Sequence, residues 1–256
     1  MHLERAIVVS SERAYENTHL LWLSAPAVGR TAGAGQFLMV RCSEGYDPLL
    51  PRPMSFHRFR QAGEERQFAL LFDIRGRGTE WMARREPGDA IDLFGPLGHG
   101  FAVDKASQNL LLVAGGIGAA ALVALADEAA AEGRSLTLLQ GARTAARLFP
   151  AALLPPEVEV VTATDDSSAG HHGPVTELLA QHLPWADQVF ACGPTPMFRA
   201  MAAVVRQEAS RKPVQALLEE RMACGTGVCY SCAVFTRRGV RLVCKDGPRF
   251  ELREVF

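Results

Sequence analysis

The sequence predicts an antiparallel β-barrel, then a doubly wound α/β domain, then a short metal-binding tail. Three observations predict it. Residues 1–104 hold six short β-branched or aromatic runs parted by Gly, Pro or polar turns. From residue 108, apolar runs alternate with helical stretches. Four of the six cysteines crowd into the last 33 residues.

The six runs are "RAIVVSSERA", "THLLWLSAP", "QFLMVRCS", "PMSFHRF", "QFALLFDIRG" and "AIDLFGPLG". Six short strands in about a hundred residues suit a small closed antiparallel barrel. One short helix is expected at "TEWMARRE", with Thr79 as N-cap and Pro87-Gly88 as stop. In the next block "NLLLVAG", "SLTLLQGA", "EVEVVTAT" and "QVFACGP" read as strands. Between and after them, "AAALVALADEAAAEG", "ARLFPAALL", "VTELLAQHL" and "TPMFRAMAAVVRQEA" read as helices. Alternating β and α elements argue for a doubly wound parallel sheet. The expected domains are 1–104, 105–210 and 211–256.

With 256 residues the chain can bury a large core, and 48% hydrophobic with 21% charged residues is ordinary for a globular protein. The net charge of −1 conceals an asymmetry: residues 211–256 carry 9 Lys and Arg against 5 Asp and Glu. Such cations sit in solvent, offset a negative metal centre or face an acidic partner. The amino end has no apolar stretch before a cleavage site, and the run "NLLLVAGGIGAAALVALA" is broken by three glycines. A cytoplasmic protein is expected, with neither a membrane nor a nucleic acid as partner. In that compartment clustered thiols are metal ligands more often than disulfides.

Cys224, Cys229, Cys232 and Cys244 have the spacing C-x4-C-x2-C-x11-C. Structural zinc more often uses paired C-x2-C knuckles or a Cys/His mixture. A four-residue gap of "GTGV" suits a loop wrapping a wide inorganic core, and the spacing is that of plant-type [2Fe–2S] ligands. Zinc remains the competing reading. Cys42 lies on a strand and reads as a core residue.

Two motifs in the β region suit phosphates. In "RPMSF", Arg52 offers a planar fork of donors for a pyrophosphate, Pro53 fixes the approach, and Ser55 adds a hydroxyl donor. In "GRGTEW", backbone N–H groups at a helix start, with the Thr79 hydroxyl, can bind a phosphate. Gly115, Gly116 and Gly118 of "VAGGIG" end a strand before a helix, where a dinucleotide can approach the backbone.

In order, "RPMSF", "GRGT", "GPLGHGF", "AGGIG", "ACGP" and "EERMACGTGVCYSC" make nearly the whole chain resemble the ferredoxin-NADP reductase superfamily. More narrowly it is similar to the electron-transfer subunits of class 1B dihydroorotate dehydrogenases. The resemblance implies FAD, a [2Fe–2S] cluster, NAD, and an FMN-containing catalytic partner that oxidises dihydroorotate, in a heterotetramer. It implies FAD contacts at Arg52, Pro53, Met54, Ser55, Leu71, Phe72, Asp73, Gly78 and Thr79. Cys192, Gly193 and Pro194 would lie where nicotinamide meets flavin, and the four clustered cysteines would hold the metal. Electrons would run from dihydroorotate through FMN, cluster and FAD to NAD+, in pyrimidine biosynthesis. Hydride transfer needs no general base, so the lack of a catalytic triad is consistent.

Departures from the pattern are local. Ser167 stands in "TDDSS" where glycine is common, so Asp165 and Asp166 read as solvated. Ala121 stands where the family often has proline. After the second parallel strand, Gln140 and Arg143 are present but no acid for a ribose hydroxyl, which leaves NAD against NADP open. His171 and His172 read as exposed. Alternative readings are a reductase subunit of a hydrogenase-like or ferredoxin-dependent complex, and a zinc-stapled binding protein with no activity. The tail is too short for a complete attached ferredoxin, which argues against an oxygenase reductase.

Overall fold

A computed structural model describes residues 1–256. Seven strands fill the amino-terminal region: β1 (His2–Tyr15), β2 (Thr18–Ser24), β3 (Phe37–Val40), β4 (Arg52–Ser55), β5 (Arg58–Ala62), β6 (Glu65–Asp73) and β7 (Ala90–Leu97). They make one antiparallel sheet, β4-β3-β7-β1-β2-β6-β5, curled into a half-barrel. The count is seven rather than six because "PMSFHRF" breaks at Phe56 and His57, both buried. Its two halves become β4 and β5, the two edges of the sheet. Alternate residues point inward, such as Leu21 and Leu23, Leu38 and Val40, Leu70 and Phe72, and they share one core with Phe56 and Met82.

Two helices belong to this region. The sequence signals miss α1 (Pro26–Thr31), whose first N–H groups are satisfied from far away. The Glu4 carboxylate accepts from the Ala27 and Val28 N–H groups at 3.2 and 2.9 Å. In α2 (Arg77–Ala83) the N-cap is Gly76, not Thr79. Thr79 sits inside the first turn, where its Oγ1 accepts from the N–H groups of Arg75 at 2.8 Å and Gly76 at 3.2 Å.

The second region has β8 (Asn109–Gly115), β9 (Ser135–Ala142), β10 (Val158–Thr164), the two-residue β11 (His171–His172) and β12 (Gln188–Cys192). Its helices are α3 (Ala119–Ala131), α4 (Leu179–His182) and α5 (Thr195–Gln207). The expected helix "ARLFPAALL" is two single 3-10 turns, 145–147 and 151–153, separated by Pro150, which cannot continue a helix. "VTELLAQHL" starts as a 3-10 turn, Val175–Leu178, before α4. Both faces of β8 are buried, Leu110, Leu112 and Ala114 toward α3, and Leu111 and Val113 toward α5. That explains its unbroken apolar sequence.

The remaining elements are β13 (Val214–Leu217), β14 (Ala233–Thr236), β15 (Gly239–Leu242), α6 (Val243–Asp246), β16 (Arg249–Glu251) and α7 (Leu252–Val255). The parallel sheet runs β11-β10-β9-β8-β12-β13-β16, with only β16 antiparallel. Residues 211–256 are tied into the α/β sheet at both ends. Their first and last strands extend the α/β sheet, and the cysteine segment is an excursion between β13 and β16. A four-residue strand carries too little periodicity to be read in advance. No helix is long and apolar enough to cross a membrane.

Candidate functional site

The cysteine loop packs between the two sheets. Cys232, Leu242, Val243 and Cys244 share a core with Phe37, Met39 and Leu97 of the half-barrel and with α5. Gly225 (φ +70°) and Gly227 (φ +83°) are left-handed, and so is Tyr230 (φ +60°). A Cβ on Gly225 would lie 2.8 Å from the Met39 side chain, and one on Gly227 would lie 3.1 Å from Lys245. Glycine is needed at both places for conformation and for room. None of the four thiols is in a disulfide.

They group as two pairs. Cys224 and Cys229 are close enough to shift each other's ionisation, and so are Cys232 and Cys244. No three acidic, histidine or cysteine side chains converge on one ion position. Backbone N–H groups point at sulfur, Thr226 to Cys224 Sγ and Cys244 to Cys232 Sγ, both at 3.4 Å. Burial pushes the Cys224 thiol up, but hydrogen bonds from Thr226 and Cys229 outweigh it and hold it down to about 5. Burial, then Cys232, pushes Cys244 up to about 12. Four soft donors in two pairs, with N–H groups aimed at sulfur, fit a two-iron centre better than one tetrahedral zinc.

The phosphate motifs meet. Arg52 on β4 reaches across to the start of α2, where a Cβ on Gly78 would lie 2.9 Å from Arg52 Nε. Its Nη1 donates to the Leu50 carbonyl at 2.7 Å. A guanidinium thus lies over the first turn of a helix, a place that favours a phosphate. Pro53, Met54 and Ser55 follow on β4, half-buried. Leu71 and Phe72 are buried on β6. Asp73 is committed to protein partners: it accepts from Thr18 Oγ1 and Arg75 Nη2, both at 2.9 Å.

The glycines of "VAGGIG" sit where the chain packs closely on itself. A Cβ on Gly115 would lie 2.8 Å from both Met197 and Pro194, and one on Gly118 would strike the Cys192 carbonyl. A Cβ on Gly193 would lie 2.6 Å from Met197. These three glycines let the turns after β8 and β12 pack on one another. Only Gly116 (φ +56°) faces open space. Gln140 is structural, exchanging hydrogen bonds with the Phe149 backbone at 3.0 and 3.1 Å. Arg143, Asp165 and Asp166 are exposed. His171 meets only Glu177, at 2.6 Å.

One residue that sequence reading missed stands beside Cys192. The Cys192 thiol is 1% exposed and donates to Glu219 Oε1 at 3.7 Å. Burial, with Glu219 adding to it, pushes this thiol well above its usual range, so Cys192 is a neutral thiol and not a nucleophile. Glu219 lines a groove of about 700 Å³ that also holds Gly193 and Pro194. Though open to solvent, it is hemmed in by protein, and desolvation raises its carboxyl against the pull of Cys192 and Arg75. The signal was the adjacency of "LEER" to a strand, which has no meaning until β13 is known to pair with β12.

Fold and site define a class. Over its whole length the chain is similar to an NADH-dependent reduced ferredoxin-NADP oxidoreductase, a structure described in terms of flavin-based electron bifurcation. The TM-score is 0.85 and the identity 28%, covering 100% of this chain and 90% of the other. It shares its fold with a ferredoxin NADP+ reductase from Neisseria gonorrhoeae, at TM-score 0.65 and 17% identity, covering 81% of this chain and 92% of that one. Residues 219–256 match the iron-sulfur cluster binding domain of dihydroorotate dehydrogenase B. The chain is 39% identical to the dihydroorotate dehydrogenase B (NAD(+)) electron transfer subunit of Desulforamulus reducens, over 91% of this chain and 90% of the relative. It is 37% identical to that of Geobacillus thermodenitrificans, over 98% of each. The chain belongs to the family of dihydroorotate dehydrogenase B electron transfer subunits.

Proposed function

We propose that this chain carries electrons between an FMN-containing partner that oxidises dihydroorotate and NAD(H). FAD would exchange two electrons with nicotinamide and single electrons with a [2Fe–2S] cluster. Cys224, Cys229, Cys232 and Cys244 hold the cluster. Arg52 and the Gly78–Thr79 turn hold the FAD phosphates, and Pro53 to Ser55 with Leu71 and Phe72 flank the ring. Gly116, Cys192, Gly193 and Pro194 receive the nicotinamide nucleotide.

One observation carries this reading. Gly225 of the cysteine loop rests on Met39, and Met39 stands opposite Pro53 in the β3–β4 register. The metal loop is thus a single strand away from the flavin motif. Cys192 keeps its proton and its small volume beside the nicotinamide turn, and Glu219 accepts its hydrogen bond. The complex is a cytoplasmic heterotetramer of two copies of each subunit.

The test is reconstitution of the loaded chain with its FMN-containing partner. Dihydroorotate should then reduce NAD+, and Cys232→Ser should abolish this while dye reduction by the partner alone persists. A complex that passes no electrons to NAD+ but reduces a ferredoxin would favour a second reading. That reading is a reductase of a ferredoxin-linked complex, and the full-length likeness to the NADH-dependent ferredoxin-NADP oxidoreductase speaks for it.

A further inference from the structure

Four arginines from separate elements line one depression of about 330 Å³: Arg206 from α5, Arg211 after it, Arg237 at the β14–β15 turn and Arg253 from α7. No carboxylate side chain lines it. None of the four side chains appears in any ion pair or side-chain hydrogen bond, although the cations nearby are committed. Lys212 Nζ donates to the Pro184 carbonyl at 2.8 Å, and Arg238 faces Glu254 at 3.8 Å. Glu251 accepts from the Val214 N–H at 3.1 Å and feels the charge of Arg253 without forming an ion pair with it.

Helix-end electrostatics account for part of this cluster. Arg206 and Arg211 lie at the carboxyl end of α5, where cations are favoured. Arg253 likewise sits in the last turn of α7, and only Arg237, at the hairpin turn, lies at no helix end. The Arg237 N–H donates to the Glu254 carbonyl at 2.8 Å, which fixes the hairpin turn against the α7 segment and brings both arginines to the same rim. Gathering four permanent like charges in a concave site is unfavourable unless an anion returns the charge. A guanidinium fork matches two phosphate oxygens, so four forks suit a compact ligand with more than one phosphate.

We propose that this depression is a binding site for a small ligand bearing two or more phosphates, separate from the flavin and nicotinamide sites. Its concavity favours such a ligand over the flat acidic face of a protein. The experiment uses flavin- and cluster-loaded protein, titrated calorimetrically with inorganic pyrophosphate at 0.1 M salt. Saturable one-to-one binding is expected. The double variants Arg237→Gln/Arg253→Gln and Arg206→Gln/Arg211→Gln should each weaken it at least tenfold. Arg30→Gln, a control on the half-barrel, should leave it unchanged, and the visible spectrum of every variant should be that of the parent. Absence of saturable binding, equal binding in all variants, or displacement of pyrophosphate by NAD+ would each overturn the proposal. It also fails if the double variants lose only their grip on the FMN-containing partner, for then the arginines form a protein-docking face.

Discussion

Arg58 of β5 and Asp127 of α3 form a two-point ion pair, Nε to Oδ2 at 2.6 Å and Nη2 to Oδ1 at 2.9 Å. It joins the edge of the half-barrel to the first helix of the nucleotide-binding sheet. The same Nη2 donates to the Leu153 carbonyl at 2.8 Å. Both side chains are about a quarter to a third exposed, 26% and 31%, so solvent screens the pair only in part. Arg58→Ala should cost about 1–2 kcal/mol, more than a fully exposed pair and less than a buried one. Urea unfolding checks this, and faster proteolytic cleavage between the two regions should accompany the loss.

Gly116 and Gly118 are two residues apart and should respond to alanine to very different degrees. At Gly118 the new Cβ strikes the Cys192 carbonyl, which a backbone cannot cheaply yield. Gly118→Ala should lose several kcal/mol and nicotinamide binding together. At Gly116 the new Cβ meets open space, and only the left-handed backbone opposes it, at about 1–2 kcal/mol. Gly116→Ala should therefore fold with its flavin bound. NADH titration and thermal unfolding of both variants decide the point.

His57 gives the stability a pH dependence. Burial lowers its pKa from 6.5 to about 4, outweighing the bond between Nδ1 and the Ala120 carbonyl at 2.8 Å. The folded pKa is below the unfolded one, so the unfolded chain binds the extra proton between those values. This residue's contribution is complete above pH 6.5 and is lost as pH falls toward 4. From pH 7 to 5.5 the expected loss is about 1 kcal/mol. In His57→Gln, unfolding free energies at the two pH values should differ by that much less than in the parent.

Ser167 has φ +65°, a left-handed conformation that costs a residue with a Cβ. Its place in "TDDSS" is one where glycine removes the strain. Ser167→Gly should stabilise by about 0.5–1 kcal/mol, the relief being partly offset by glycine's greater freedom when unfolded. A rise in the urea midpoint at constant slope checks it.

Local chemistry was legible in the sequence and long-range chemistry was not. The cysteine spacing and the Arg52 motif could be read because each needs only neighbouring residues. The strands of the half-barrel showed in their alternation, except where buried Phe56 and His57 joined two strands into one apparent run. Helix α1 was hidden because its start is satisfied by Glu4, more than twenty positions away. Glu219 was hidden because only the β12–β13 pairing brings it to Cys192. Of the glycines at the end of β8, Gly115 and Gly118 admit the turn after β12, a packing reason that no local pattern shows.

The central claim is that the Cys224–Cys244 segment holds iron and sulfide one strand away from a flavin. Quantitative analysis of anaerobically purified protein, with its visible spectrum, tests this directly. Two irons, two labile sulfides and one FAD per chain are predicted, with iron lost in Cys232→Ser and kept in Cys42→Ala. One zinc per chain, with no absorbance beyond that of the polypeptide, would contradict it.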